Sequence, residues 1–257
     1  MTPSRLPVLF IGHGSPMNAI EDNEFSRSWS EAGRSLPRPK AILCVSAHWE
    51  TRGTQVTAME KPKTIYDFYG FPPELYAMQY PAAGSPDLAR RIQGLVKPVE
   101  VTQDQSWGLD HGAWSVLSRL FPHADVPVIQ LSLDQGISPQ AHYDLGRQLG
   151  TLREEGILII GSGNVVHNLG RVAWEDTAFE WAAEFDDRVK HWILDGNHEA
   201  LIGYQTQGPS AALAINSAEH YKPLLYVLGA IRPGESVHFF AEKVTLGSIS
   251  MRSFRVD

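Results

Sequence analysis

The feature that most constrains the fold is a repeated pattern, in which a short apolar run is cut off by glycine or by a polar stop. Pro7-Val8-Leu9-Phe10-Ile11 ends at Gly12-His13-Gly14-Ser15-Pro16, and Ala41 to Ala47 ends at His48. Gly156-Ile157-Leu158-Ile159-Ile160 ends at Gly161-Ser162-Gly163-Asn164, and Val126 to Ser132 repeats the design. Continuous apolar runs without strict alternation mark strands covered on both faces. Helical signatures lie between them. Ser85-Pro86 and Ser138-Pro139 each pair an N-cap with a proline in the first turn. The second pair predicts a helix running to about Glu154. His111 to Phe121 and Phe179 to Leu194 carry apolar residues at helical spacing, the latter including Trp181 and Trp192. This alternation predicts an α/β fold: a single domain with a central, mostly parallel or mixed sheet flanked by helices on both faces.

No repeat, low-complexity tract or linker divides residues 1–257, so one domain is expected. Within it, the segment at about 61–86 is rich in Tyr, Phe, Pro and Gly and lacks periodicity. Long irregular segments of this kind serve as lids or substrate walls. The chain's 257 residues, 43% of them hydrophobic, are enough for one large core and exclude disorder. A formal net charge of -7, with no dense run of Lys or Arg, argues against nucleic acid or acidic lipid as a partner. No stretch reaches the roughly 18 apolar residues of a membrane span, and Met1 to Pro7 does not lead into a signal-peptide core. The single cysteine, Cys44, lies inside the second apolar run and reads as a small buried core residue. Without an internal disulfide the protein needs no oxidising compartment, and the cytoplasm is expected. Nothing in the sequence bears on oligomeric state.

Ten histidines are present, in unequal settings. In open α/β sheets, ligands bind beyond the carboxyl ends of the strands. His13, His48 and His167 each follow an apolar run, so side chains distant in sequence can converge on one spot. His111 sits in the Gly-flanked loop Gly108-Leu109-Asp110-His111-Gly112 that opens a helix, and His220 precedes the apolar helix Pro223 to Leu228. His123, His142, His191, His198 and His238 have polar or surface-like neighbours and are assigned no functional role. The first set points to a metal site, although no HExxH or CxxC is present. No complete phosphate-binding or dinucleotide fingerprint occurs, nor a G-x-S-x-G elbow. Ser15 and Ser162 stay open as nucleophiles beside simpler capping roles.

Gly12-His13-Gly14-Ser15-Pro16, Ser46-Ala47-His48-Trp49, Trp107-Gly108-Leu109-Asp110-His111-Gly112, Gly161 to Asn168 and Glu219-His220-Tyr221 occur in one order. Together with Thr64 to Pro72 and Tyr80 to Pro86, this series resembles the class III extradiol ring-cleaving dioxygenases, in the 4,5-DOPA dioxygenase extradiol branch. The resemblance implies an enzyme that opens a catechol such as L-DOPA with O2. It implies Fe(II) on His13, His48 and His220, with Zn(II) an occupant also found in this pocket among family members. His167 would be the acid/base group or a fourth ligand, and His111 a substrate contact and secondary catalytic group. Tyr66 and Phe68, in the aromatic stretch from Tyr66 to Tyr80, would meet the substrate, with Trp49, Trp114 and Tyr221 as further wall residues. The sequence departs from the protocatechuate-cleaving relatives, which use two histidines and a glutamate; here the third position reads as His220, next to Glu219. Two other functions fit the histidines: a zinc-dependent hydrolase on the same scaffold, and a non-catalytic metal-binding protein. Oxygen consumption with catechols separates both from a dioxygenase.

Overall fold

Each apolar run becomes a strand, and the helical patterns become helices between them. The computed structural model describes residues 5–257. Residues 1–4, part of the N-terminal stretch considered above for a signal peptide, lie outside the described residues. In chain order the first elements are β1 (Val8–Gly12), α1 (Glu24–Ser35), β2 (Ala41–Thr51), β3 (Thr54–Thr57), α2 (Pro73–Tyr76), α3 (Pro86–Leu95), β4 (Val101–Asp104), α4 (His111–Leu120) and β5 (Val128–Asp134). There follow α5 (Pro139–Leu149), β6 (Ile157–Gly163), α6 (Glu180–Leu194), α7 (His198–Ile202), α8 (Pro209–Ala214), α9 (Lys222–Ala230), β7 (Val237–Phe240), β8 (Val244–Thr245), β9 (Ile249–Ser250) and β10 (Ser253–Val256).

Eight strands form one sheet in the order β4-β3-β5-β2-β6-β1-β10-β7, and β8 pairs with β9 separately. The centre, β5-β2-β6-β1, is parallel. On the flanks, β10 is antiparallel to β1, β7 to β10 and β3 to β5, which makes the sheet mixed. A parallel centre must be covered on both faces, and the alternation of side chains along each strand does this. Leu9, Ile11, Ile42, Cys44 and Ile160 pack in one core with Trp29 of α1 and Trp114 and Leu117 of α4. Val8, Phe10, Leu43, Val45 and Ile159 pack in the other with Leu145 of α5 and Leu224 and Val227 of α9. Cys44 is buried and free, as expected.

The serine caps form as the sequence predicts: the Ser85 and Ser138 side chains accept hydrogen bonds from the backbone N–H of Leu88 and Ala141. The helix after Ser138 is shorter than predicted. It ends at Leu149 and tightens into a 3-10 turn over Gly150–Glu155, where glycine is a poor α-helix former. β2 differs in the opposite sense. It does not stop at His48 but runs on to Thr51, and its register with β5 shifts between Val45 and Glu50. Irregularities of this kind re-aim side chains beside active sites, and His48 sits within this one.

Between β3 and α3 the chain holds only the one-turn α2, so most of the aromatic segment is irregular. Its first part is pinned to the approach to α4. Ile65 N–H donates to the Leu109 carbonyl (2.7 Å) and Leu109 N–H to that of Lys63 (2.8 Å). No helix among the described residues is long and apolar enough to cross a membrane.

Candidate active site

The register of the parallel strands brings the histidines together. Ile11 of β1 and Ser46 of β2 both pair with Ser162 of β6. His13 lies two residues beyond Ile11 and His48 two beyond Ser46, so both rise from the same row at the carboxyl edge. The third contributor enters over β6. Asn164 N–H donates to the His220 carbonyl (2.8 Å), and a Cβ on Gly163 would meet that oxygen at 2.1 Å. Only glycine lets the segment before α9 come down onto the strand end. The result is a group of ring nitrogens from His13, His48 and His220, all within 4.8 Å of one another.

Each of these rings has an oxygen beside its Nδ1. His13 Nδ1 is 3.0 Å from Ser162 Oγ, whose own proton goes to the Gly112 carbonyl (2.5 Å). The hydroxyl can therefore only accept from His13, which places the proton on Nδ1 and a lone pair on Nε2. His48 Nδ1 faces Asp67 Oδ2 at 3.3 Å. His220 Nδ1 is 3.0 Å from Glu219 Oε1, which also accepts from Ser217 Oγ (2.8 Å). Oxygen partners on the far nitrogen are the usual support of metal-binding imidazoles.

The donor set fits a divalent ion. His13 Nε2 and His48 Nε2 stand 3.1 Å apart, and the assigned tautomers leave each with a lone pair. Facing lone pairs repel unless a cation lies between them. A proton does not serve at neutral pH, because burial and the neighbouring His111 push the His48 pKa down to about 3. Burial, followed by the neighbouring imidazoles, also holds His13 and His220 well below the ordinary value. Two ligands about 2.0–2.1 Å from one ion, at right angles, would be about 2.8–3.0 Å apart, slightly less than the separation observed. The carboxylates of Asp67 and Glu219 flank the cluster and complement a positive ion.

Two further histidines border this group. His167 follows β6, with its N–H on the Ala214 carbonyl (3.0 Å). Its ring stacks on His220, with centroids 3.5 Å apart and planes at 8°. Its nitrogen groups with those of Glu219 and His220, so it borders the His13, His48 and His220 group through the shared His220. Burial lowers its pKa to about 4, against an opposing contribution from Glu219. His111 is the first residue of α4, and its ring lies 3.8 Å from that of His48. The helix is capped by Asp110, which accepts from Ala113 N–H (3.1 Å), Ser46 Oγ (2.6 Å) and Gln130 Nε2 (2.7 Å). Burial and the nearby Asp67 raise the Asp110 pKa, and its hydrogen bonds oppose that rise. For Asp67 itself burial favours the neutral acid, but the contacts with His111 and His48 outweigh it and the pKa is lowered.

A family model described as the catalytic LigB subunit of aromatic ring-opening dioxygenase matches residues 7–252. The chain belongs to the LigB family. It is 48% identical to the 4,5-DOPA dioxygenase extradiol of Escherichia coli K12, across 100% of this chain and 96% of that protein. It is 40% identical to the protein of that name from Beta vulgaris, across 96% and 94% of the two chains. The crystal structure of an uncharacterized E. coli K12 protein superposes with a TM-score of 0.87 at 44% identity, covering 98% of this chain and 100% of that one.

In this LigB-family enzyme the expected substrate residues fare unequally. Phe68 reaches the histidines: its ring meets His111 edge-on at 5.5 Å. Tyr66 lies behind it, 6.1 Å from Phe68, with its hydroxyl donated to the Met78 carbonyl (2.5 Å). Trp49 is buried and stacked on Trp107 at 5.7 Å, and Trp114 is buried with its indole N–H on the Ile65 carbonyl. Both pack as core. Tyr221 is also a core residue, contrary to expectation. Its ring lies against Tyr204 and its hydroxyl donates to the Leu201 carbonyl (3.1 Å), so no free group faces a substrate. The one misjudged setting among the five discounted histidines is that of His142. It is fully buried, with Nδ1 3.0 Å from the Tyr226 hydroxyl, where surface-like surroundings were expected. Neither serine stands free as a nucleophile: Ser15 caps the turn at Pro16–Ala19 and Ser162 holds His13.

Asp67 was missed in the sequence, as were the bracing roles of Ser162 and Glu219. A signal for Asp67 existed. An acid flanked by aromatic residues on both sides needs partners if it is to be buried.

Proposed function

We propose that this LigB-family enzyme opens the ring of a catechol beside its hydroxyl pair, with O2, at Fe(II) held by His13, His48 and His220. The observation that carries this reading is three imidazoles, each with Nδ1 against an oxygen, whose ligand-capable nitrogens converge within 4.8 Å. When bound on one face by three neutral imidazoles, iron would supply open positions for both catechol oxygens and for O2. The same donors accept zinc; iron is favoured because the family is one of oxygen-using, ring-opening enzymes.

In this reading His167 moves the protons. Neutral at physiological pH, it has a lone pair to take a hydroxyl proton, and the Glu219 carboxylate favours the imidazolium that results. The protonated ring then returns the proton to the opening product. His111 is the secondary proton-transfer and substrate-contacting group. Phe68 offers an aromatic edge against which a catechol ring can pack, and the segment around it excludes water. In this reading residues 1–257 form one catalytic domain and the segment at 61–86 is its wall. The names of the relatives make L-DOPA the first substrate to try. The free, buried Cys44 fits a reducing compartment, and we place the enzyme in the cytoplasm.

The test is oxygen uptake by anaerobically prepared, Fe(II)-reconstituted protein against a panel of catechols that includes L-DOPA. Stoichiometric oxygen consumption with a yellow ring-opened product is the expected result. A metal-filled site that consumes no oxygen with any catechol would move the assignment to a zinc enzyme on this scaffold.

A further inference from the structure

Asp67 belongs to the aromatic segment, yet its carboxylate lies among the histidines. Oδ1 accepts a hydrogen bond from the His111 backbone N–H (2.9 Å). Oδ2 is 3.0 Å from His111 Nδ1 and 3.3 Å from His48 Nδ1. The Asp67 side chain is 17% exposed and that of His111 7%, so little water intervenes. The contacts to Oδ2 are short without being well aligned, and Oδ2 and His111 Nδ1 have no other partner. The attraction is therefore mainly that of a carboxylate charge for two polar N–H groups.

We propose that Asp67 is a positioning residue, which fixes the metal-binding tautomer of His48 and ties the seating of the aromatic segment to metal binding. This rests on the reading of His48 as a ligand. An ionised carboxylate has no proton to give, so a nitrogen facing it at close range must carry the hydrogen. For His48 the hydrogen then sits on Nδ1, and Nε2, 3.1 Å from His13 Nε2, is left with its lone pair. The other tautomer would set a lone pair against Asp67 and an N–H against the metal position. Asp67 thereby does for His48 what Ser162 does for His13 and Glu219 for His220.

The difference lies in where the partner comes from. Ser162 is on β6, at the centre of the sheet, and Glu219 adjoins the ligand it holds, whereas Asp67 comes from the wall. The pairing of Lys63 and Ile65 with Leu109, and the bond from Trp114 Nε1 to the Ile65 carbonyl (2.8 Å), deliver it to the start of α4. Phe68, the next residue, sets its ring edge-on to His111. A displaced segment withdraws the Asp67 charge and the aromatic face together. By linkage, a metal that binds better when the segment is seated must hold the segment in place by the same factor.

The geometry also offers a competing role, because His48, Asp67 and His111 could themselves surround an ion. Stoichiometry separates the two. The experiment compares the wild-type protein with Asp67→Asn, Asp67→Ala and His48→Ala. It measures Co(II) and Zn(II) affinity by chelator competition, the Co(II) absorption spectrum, and hydrogen exchange of residues 64–80 with and without metal. Asp67→Asn keeps an acceptor for the His111 N–H but turns an NH2 towards the imidazoles, which favours the wrong tautomer of His48. Affinity should fall about 10–100-fold, with a changed Co(II) spectrum and an unchanged far-UV CD spectrum. Metal should slow exchange in residues 64–80 of the wild type but not of the variant. Should Asp67→Asn fold poorly, Asp67→Ala, which leaves the tautomer unbiased, should weaken binding in the same direction. Affinity within about threefold of wild type in the folded variants, or two ions per wild-type chain, would overturn the proposal. Wild-type affinity in His48→Ala would instead sink the three-histidine reading beneath it.

Discussion

The buried histidine cluster gives the metal-free protein a steep dependence of stability on pH. Above the ordinary histidine pKa of 6.5, His48 and His167 are neutral in both the folded and unfolded states and contribute nothing. Below it the unfolded chain takes up protons that the folded protein refuses until the pH nears about 3 for His48 and about 4 for His167. Folding stability therefore falls with pH across this window. One pKa unit corresponds to about 1.36 kcal/mol, so at pH 5, roughly 1.5 units below 6.5, each histidine destabilises the fold by about 2 kcal/mol. The two together reach about 4 kcal/mol, a large part of the 5–15 kcal/mol typical of a folded protein. The His48 side chain is 20% exposed, so solvent softens its share, while the buried His13 and His220 add in the same direction. His142, which burial lowers to about 4, and His198, also lowered by burial, act in the same sense, and Asp110, with its raised pKa, opposes them. Asp67, with its lowered pKa, loses stability only at more acid pH. Urea unfolding of metal-stripped protein at pH 7 and pH 5, followed by circular dichroism, measures the effect. The midpoint should drop by roughly 1 M or more, and a His48→Gln/His167→Gln variant should show a shallower slope, with the remaining buried histidines still contributing. Equal stability at the two pH values would refute the inference that these imidazoles are held neutral by burial.

Three substitutions probe the site and its surroundings. His167→Ala should lower turnover by about 10²–10⁴-fold while leaving bound metal near wild type, with kinetics and metal analysis run on one preparation; unchanged turnover removes His167 from the mechanism. Tyr221→Phe should cost about 1 kcal/mol of stability through loss of the Leu201 hydrogen bond and leave KM for the catechol unchanged, whereas a raised KM would return Tyr221 to the substrate wall. Gly163→Ala places a methyl 2.1 Å from the His220 carbonyl oxygen and should destabilise the protein by about 1–3 kcal/mol and weaken metal binding, both readable from a thermal melt with and without metal.

Much of the architecture was legible because it depends on local chemistry. An apolar run with no polar face must be buried on both sides, which makes β1, β2, β5 and β6 recognisable as central parallel strands. Ser85 and Ser138 declared their helices through capping geometry that a few adjacent residues settle. His13 and His220 stood out because loops after strands and before helices are where an α/β sheet exposes functional side chains. The reach of β2 through His48 was not legible, since the register shift that aims this ring depends on β5, about 80 residues further along the chain.

The supports of the histidines were hidden for the same reason. Ser162 acts on His13 from 149 residues away, and Asp67 on His111 from 44. Ser162 looks like any small residue at a Gly-rich strand end, and the aromatic flanks of Asp67 say that it needs partners without saying which. Tyr221 misled because adjacency to His220 in sequence says nothing about direction; at the start of α9 neighbouring side chains diverge, and this one turned into the core. By itself the sequence determined which segments had to be covered and which histidines stood at the open ends of the sheet, because burial and capping are decided within a few residues. Only the tertiary structure decided which nitrogen of each ring is left free, because that depends on the oxygen the distant chain brings to the other.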